Sequence, residues 1–228
     1  MKEIISLRKI GDIAVFSLIS AFLVGSEVNH APKTQFAPTG PHVQLASSQK
    51  PAAPHDATSS QSLDVDFEGN GHKELVLAYE VRGDDARLDS YLVVYKQLDS
   101  SWAEVFKDEF DGAAVSIEEL SNCSTKEAIL VKSQYSGAGT ITSWYVLASV
   151  NGQLAKSSPE KLKRGVLTQY GYTDMGYNSL TVEMGIIKET QPGYSYNQPR
   201  CCPDKPQIHV EYKFDGKALT LGAVTFGK

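Results

Sequence analysis

Short apolar runs rich in Val, Ile, Leu, Tyr and Trp recur from residue 75 onward, separated by Gly, Asn, Asp and Ser. This alternation of compact apolar runs and turn formers is typical of β-strands. The predicted strands are residues 75–81, 91–95, 115–117, 128–131, 144–148, 180–187 and 208–214. Outside the N-terminal apolar stretch, no segment keeps helical spacing for three turns. The pattern therefore predicts an all-β protein built as an antiparallel meander.

The chain also repeats itself at one fixed spacing. The motif Lys73-Glu74-Leu75-Val76-Leu77 returns 53 residues later as Lys126-Glu127-Ala128-Ile129-Leu130, and Ser90-Tyr91-Leu92-Val93 returns at the same spacing as Ser143-Trp144-Tyr145-Val146. Two independent matches at one offset indicate an internal duplication.

A fainter third copy starts at Ser179-Leu180-Thr181-Val182 and closes at Asp215-Gly216, which echoes Asn151-Gly152. Both dipeptides lie between strand-like runs, as two-residue hairpin turns prefer. Because Gly152 and Gly216 are 64 residues apart, the third copy carries 11 residues more than the 53-residue spacing, and these lie between residues 188 and 206. About three repeats are too few for a closed propeller, so we expect an open array or a curved sandwich.

The N-terminal part of the chain predicts export. Residues 1–26 combine Lys2, Arg8 and Lys9 with an apolar stretch and then small residues, which is the layout of a secretory signal peptide. Asp12 keeps the clean apolar run below the ~18 to 20 residues that span a bilayer, so we expect no membrane span in the mature chain. The sequence thus predicts a periplasmic or secreted protein.

Composition divides the remainder into two parts. Residues 27–61 are rich in Pro, Ala, Ser and Thr, and Phe36 is their one aromatic residue. This composition predicts a disordered tether. From its length and strand pattern, we expect the part at residues 62–228 to form a single all-β domain of about three repeats. The net charge of -5, without a basic stripe, argues against nucleic acid as a partner.

Candidate chemistry is concentrated in the loop at residues 66–74, which runs directly into the first apolar strand. Oxygen-bearing side chains occupy its first, third, fifth and ninth positions, and glycines stand where the backbone turns. Hard cations such as calcium collect six or more oxygens in loops of this kind. The alternative is a metal-free turn in which the same carboxylates cap backbone amides.

Residues 66–77 resemble an FG-GAP or VCBS type repeat, the calcium-loop repeat of integrin propellers and of many bacterial secreted proteins. The resemblance implies calcium bound by the side chains of Asp66, Glu68, Asn70 and Glu74 and by the backbone carbonyl of His72. The matching stretch of the second repeat, residues 119–127, lacks the glycines and is expected to have lost the ion. The segment Pro199-Arg200-Cys201-Cys202-Pro203 is also similar to the tails of uncharacterised bacterial exported proteins.

Three cysteines, Cys123, Cys201 and Cys202, leave one odd thiol in an oxidising compartment. One pairing joins Cys123 to Cys201 or Cys202 and staples the second repeat to the insertion of the third. The other is a strained bridge between the adjacent Cys201 and Cys202, which would be reducible and suited to redox or metal chemistry. The sequence leaves both pairings open.

The histidines do not predict catalysis. Only His72 and His209 fall within the predicted domain, which is too few for a typical zinc site and gives no Ser-His-Asp arrangement. We therefore expect an exported, non-catalytic recognition protein with a structural calcium loop and an unknown protein or glycan ligand. Its candidate binding face is the insertion, with Tyr194, Tyr196 and Arg200. The alternative is a periplasmic thiol-based metal or redox protein centred on Cys201 and Cys202.

Overall fold

Three four-stranded antiparallel sheets, each a meander of strands in chain order, make up most of the computed structural model, which describes residues 49–83, 87–120, 127–135 and 141–227. The strands of the first sheet are β1 to β4 (Ala57–Val65, Glu74–Arg82, Leu88–Leu98 and Ser101–Asp111). Those of the second sheet are β5 to β8 (Ala113–Leu120, Ala128–Tyr135, Ile141–Val150 and Gln153–Ser157). Those of the third sheet are β9 to β12 (Ser179–Glu183, Ile186–Gly193, Lys205–Phe214 and Leu219–Phe226). The all-β meander prediction is confirmed, and none of the sheets closes into a barrel.

The second sheet lies between the other two and buries both of its faces. On one face, Ile129, Val131 and Leu147 pack against the first sheet. On the opposite face, Leu130 and Trp144 pack against the third sheet and the helix. Successive residues of a strand point to opposite faces, so a strand buried on both faces must be apolar at consecutive positions. This explains the unbroken apolar runs that the sequence shows near residues 128–131 and 144–148.

The predicted repeats correspond to equivalent strands in the first two sheets. The two copies of the Lys-Glu motif lead into β2 and β6, and the Ser-Tyr and Ser-Trp copies lie in β3 and β7. The third copy is shifted from its predicted alignment, because residues 179–182 form the first strand of the third sheet rather than the second. The expected single strand at 180–187 is a hairpin, β9 to β10, with Met184 and Gly185 at positive φ.

One α-helix, α1 (Glu160–Tyr170), connects the second and third sheets and contradicts the expectation that no segment is helical for three turns. Val166 and Leu167 are buried in the core shared with the third sheet. Gly171 ends the helix in the left-handed conformation, and the amides at the end bond to the carbonyls of Leu167 and Thr168. Packing of a narrow apolar stripe stabilises this helix. Because apolar residues recur only weakly at helical spacing, the sequence pattern did not predict it. In the described ranges, no helix has the length and apolar character that crossing a membrane requires.

The N-terminal boundary differs from the predicted one. Strand β1 begins at Ala57, before the predicted domain start at residue 62, and pairs with β2 over its whole length. Residues 50–53 line a shallow pocket together with Leu75 and Leu77 of β2, and Lys50 Nζ is 2.7 Å from Asp64 Oδ1. The predicted signal peptide, tether residues 27–48 and Cys123 lie outside the described residues.

Candidate functional site

The loop at residues 66–74 folds around the carboxylate of Asp66. Oδ1 accepts hydrogen bonds from the amides of Gly69 at 2.7 Å and Asn70 at 3.1 Å, and Oδ2 accepts one from Gly71 at 2.6 Å. Both glycines have positive φ, a conformation that is unstrained in glycine. Burial opposes ionisation of the carboxyl, but these amide bonds together outweigh it and hold the pKa of Asp66 below its ordinary value.

The other predicted calcium ligands lie in the same loop, and a lysine faces two of them, Glu68 and Glu74. Asn70 donates from Nδ2 to Glu68 Oε2 at 2.8 Å and accepts the amide of His72 at its Oδ1, also at 2.8 Å. Lys96, from β3, forms an ion pair with Glu68, and its Nζ lies 3.8 Å from Glu74 Oε1. The hydrogen bond to Glu68 raises the pKa of Lys96 above its usual value.

The described geometry is therefore that of an amide-capped turn in which Lys96 balances part of the carboxylate charge. Calcium needs six to eight oxygens around it, and the ammonium group of Lys96 occupies the space that faces Glu68 and Glu74. Within the described ranges, no set of three or more His, Cys, Asp or Glu side chains is arranged to hold a metal ion. The residues do not fit a calcium ion as arranged, and one would have to displace Lys96. Calcium binding remains a prediction from the sequence.

A glutamate from the second repeat completes the loop. Glu127 Oε2 accepts the amide of Asp66 at 2.6 Å, and the Glu127 amide donates to the Asp66 carbonyl at 3.0 Å. Lys73 Nζ lies 3.8 Å from the other oxygen of Glu127. These contacts attach the loop of the first sheet to the start of β6 in the second.

A cavity of about 440 Å³ opens beside this loop, between the first sheet and the β7–β8 hairpin. We call it the inter-sheet cavity; it is lined by Phe67, Glu68, Glu74, Lys96, Val105, Ser149, Gly152, Gln153 and Leu154. Glu74 is only 4% exposed, and burial raises the pKa of its carboxyl. Ser149 is 5% exposed, and its hydroxyl has no hydrogen-bond partner among the residues that the structure describes. The cavity thus combines a charged pair, a buried hydroxyl and apolar walls.

Sequence reasoning found the loop side of this cavity and missed the rest. Lys96 and Ser149 carry no motif of their own, but they are 53 residues apart and so occupy equivalent positions in the first two repeats. Glu74 and Glu127 are related in the same way. Aligning the repeats position by position shows both equivalences in the sequence, but not that Lys96 and Ser149 line one cavity.

A second buried charged cluster lies between the second and third sheets. Lys163 Nζ, on α1, is 2.7 Å from Glu189 Oε1 and 2.9 Å from Asp174 Oδ2. Glu189 Oε2 accepts hydrogen bonds from Trp144 Nε1 at 3.3 Å and from the Tyr212 hydroxyl at 3.2 Å. The Glu189 side chain is completely buried, so no substrate reaches it. This cluster joins the helix to the two sheets.

The insertion of the third repeat is the connection between β10 and β11, residues 194–204. Tyr194 is 4% exposed and its hydroxyl donates to the Arg200 carbonyl at 2.8 Å, so it braces the loop from inside instead of belonging to an exposed face. Tyr196 is 82% exposed. Cys201 and Cys202 are exposed free thiols, and a hydrogen bond with the Cys201 thiol raises the pKa of Cys202.

The chain matches no known protein-family model, and comparisons with curated proteins and with solved structures find no relative.

Proposed function

We propose that this chain is an exported, non-catalytic recognition protein and that the inter-sheet cavity is its binding site. The observation that carries the proposal is the cavity itself, where the ion pair of Lys96 and Glu68 and the buried carboxyl of Glu74 lie beside apolar walls. A concave site with a few convergent polar groups and apolar walls is the usual form of a small-molecule site. The N-terminal signal-peptide pattern supports a periplasmic or secreted location.

The chemistry of the lining favours a hydroxyl-rich ligand such as a glycan. Glu68 and Glu74 offer acceptors, and Lys96 offers a donor. A sugar hydroxyl both donates and accepts, so adjacent hydroxyls match this alternation, while the carbon faces of a sugar ring pack on Val105 and Leu154. The cavity volume falls within the range of small-molecule sites.

Saturation-transfer NMR with a panel of defined mono- and disaccharides tests the proposal. A binding sugar is then titrated against Lys96→Met, which removes the donor, and Leu154→Trp, which fills the cavity. Lys132→Met is the matched control, because Lys132 pairs with Glu118 at 2.9 Å and is absent from the cavity lining. We expect both cavity variants to lose the signal and the control to keep it.

The result that contradicts the proposal is equally specific. If Leu154→Trp keeps its fold by circular dichroism and still binds the sugar with unchanged affinity, the ligand does not occupy this cavity. If no sugar of the panel receives saturation from the wild-type protein, the glycan assignment is wrong.

A further inference from the structure

The Cys201 and Cys202 thiols lie in a turn whose backbone is fixed on both sides. The Cys202 amide donates to the Pro199 carbonyl at 3.1 Å, which closes a β-turn with Arg200 and Cys201 at its centre. Gln198 Nε2 donates to the Cys202 carbonyl at 2.8 Å. Because both cysteines are exposed, the turn presents two adjacent sulfurs to solvent.

The rest of the loop holds this turn in place. The Ser195 amide donates to Asp204 Oδ1 at 2.8 Å, and the Asp204 amide donates to the Gly193 carbonyl at 3.1 Å. A Cβ atom on Gly193 would lie 2.2 Å from the Pro206 carbonyl oxygen, so the two strands approach closely where the loop begins. The equivalent connections of the first two repeats, residues 83–87 and 136–140, have five residues each, so this longer loop is specific to the third repeat.

The donor set selects the class of ligand. In the described ranges, no third His, Cys, Asp or Glu side chain joins these sulfurs in a metal-binding group. Zinc and iron-sulfur clusters take four protein ligands, so two sulfurs alone do not complete either site. Calcium and magnesium take oxygen ligands, so two sulfurs do not suit these ions. Soft thiolate ligands select Cu(I), zinc and iron-sulfur clusters, and the four-ligand requirement of the last two leaves Cu(I). An S–S bond between adjacent residues would have to close across Cα atoms only 3.80 Å apart, below the usual separation for disulfides. A metal ion bound between the two sulfurs does not require them to come within S–S bonding distance.

We propose that the turn carrying Cys201 and Cys202 is a two-sulfur site for a soft monovalent cation of the Cu(I) type. Binding converts one Cu⁺ and two thiols into a bis-thiolate complex and releases two protons to solvent, with no change of oxidation state. The complex carries one net negative charge, and Arg200, the preceding residue of the turn, brings a positive charge next to it. This site is separate from the inter-sheet cavity and does not depend on it.

An anaerobic competition titration tests the proposal, with reduced full-length protein and Cu(I) supplied as its complex with a chromophoric chelator. The expected stoichiometry is one Cu(I) per chain, both for wild type and for Cys123→Ser, in which only the two turn thiols remain. In the Cys123→Ser background, Cys201→Ser and Cys202→Ser each lower the affinity by more than about 100-fold, because removal of an outer partner alone costs up to that much. Gln198→Ala, which frees the Cys202 carbonyl but leaves both sulfurs, lowers it by about 10-fold.

Both cysteines are exposed, so circular dichroism and the thermal midpoint of the serine variants stay at wild-type values. Unchanged Cu(I) binding by the variant that lacks both Cys201 and Cys202 overturns the proposal. So does a turn that binds no Cu(I) but is oxidised by a small disulfide to a Cys201-Cys202 bridge, found by mass spectrometry after alkylation. That outcome assigns the turn to thiol-disulfide exchange.

Discussion

Glu74 and Glu127 occupy equivalent positions in two repeats, and their carboxylates accept hydrogen bonds from consecutive amides of the same loop. Glu74 Oε2 accepts the Phe67 amide at 3.3 Å, and Glu127 Oε2 accepts the Asp66 amide at 2.6 Å. The first bond lies within the first repeat, whereas the second joins two repeats. The duplicated glutamate has therefore acquired a different partner in each copy, and one loop depends on both copies.

Glu127→Ala should loosen this connection. The Asp66 amide loses a charged acceptor, so we expect the free energy of unfolding to fall by about 1.5 to 3 kcal/mol. Urea denaturation at neutral pH measures the change. Glu119→Ala, at an exposed position on β5, serves as the control and should stay within about 0.5 kcal/mol of wild type. Equal effects of the two substitutions would show that the bond to the loop contributes nothing.

We predict that Lys96 opposes calcium binding by the loop. Lys96→Met removes the ammonium group that faces Glu68 and Glu74, so the variant should bind calcium more tightly than wild type. We expect at least a ~10-fold increase, a change of about 1.4 kcal/mol in binding free energy. Isothermal titration with calcium measures it, with Lys132→Met as the control. A wild-type protein that already binds calcium tightly, and is unaffected by Lys96→Met, would mean that Lys96 does not occupy the ion position.

Ser149→Ala should stabilise the fold. Because the buried Ser149 hydroxyl has no hydrogen-bond partner among the described residues, its removal should raise the free energy of unfolding by about 1 kcal/mol. Ser133→Ala is the matched control, since Ser133 is similarly buried but donates to the Ser143 carbonyl at 3.4 Å. That substitution should be neutral or destabilising. Calorimetric melting measures both, and a destabilised Ser149→Ala would reveal a partner for the hydroxyl.

The buried pair of Lys163 and Glu189 predicts a large stability effect. Lys163→Ala leaves the Glu189 carboxylate buried without its cation, so we expect a loss of about 3 to 5 kcal/mol in urea denaturation. The exposed pair of Lys188 and Glu183 is the control, and Lys188→Ala should cost about 0 to 1 kcal/mol. Lys163→Met combined with Glu189→Leu should be less destabilised than Lys163→Ala, because no unpaired charge remains buried.

The same pair predicts loss of stability in alkali. Burial alone would lower the pKa of Lys163, but Glu189 and Asp174 outweigh it and raise the pKa above the usual value. A raised lysine pKa stabilises the fold fully below the unfolded value of about 10.4, and the contribution is lost as pH rises through the folded value. Burial also raises the pKa of the Tyr212 hydroxyl, so its contribution to the stability of the fold is lost as the pH rises through the same alkaline range. Lys163→Met should therefore flatten, without abolishing, the decline in unfolding free energy above about pH 10.

Two glycines give opposite predictions for the same substitution. Gly193→Ala forces a methyl group against the Pro206 carbonyl oxygen and should destabilise by about 1 to 3 kcal/mol or more. Gly165 lies within α1, where an added Cβ meets nothing within 4 Å, so Gly165→Ala should stabilise by about 0.5 to 1 kcal/mol. Thermal melting compares the two variants. A neutral Gly193→Ala would mean that the strands at the start of the insertion separate at little cost.

The sequence predicted the inner strands better than the outer ones, for a physical reason. Strands β2, β3, β6 and β7 are buried at consecutive positions and appear as apolar runs. Strands β1, β4, β8 and β12 were missed because they lie at sheet edges and are largely exposed, and edge strands carry polar residues. Tertiary pairing, rather than local composition, determines these four strands.

The candidate site divides in the same way. The sequence identified the loop residues because they lie close together in one segment and match a known spacing. They are Asp66, Glu68, Asn70, His72 and Glu74. Lys96 and Ser149 come from β3 and β7, and only the packing of one sheet on another brings them to the loop. Local sequence encodes the amide cap of Asp66, whereas the charge balance and the cavity depend on distant segments.

The third sheet ends the stack of sheets, and the alternation along its strands shows how. On β11, Ile208, Val210 and Tyr212 are buried against the second sheet, whereas His209 and Glu211 alternate with them on the opposite face. A fourth meander stacked on that face would strip water from charged groups without offering them partners. The second sheet, apolar on both faces, accepts neighbours on either side. Addition of a further sheet on this side is thus limited by the solvation of the outer face of the third sheet.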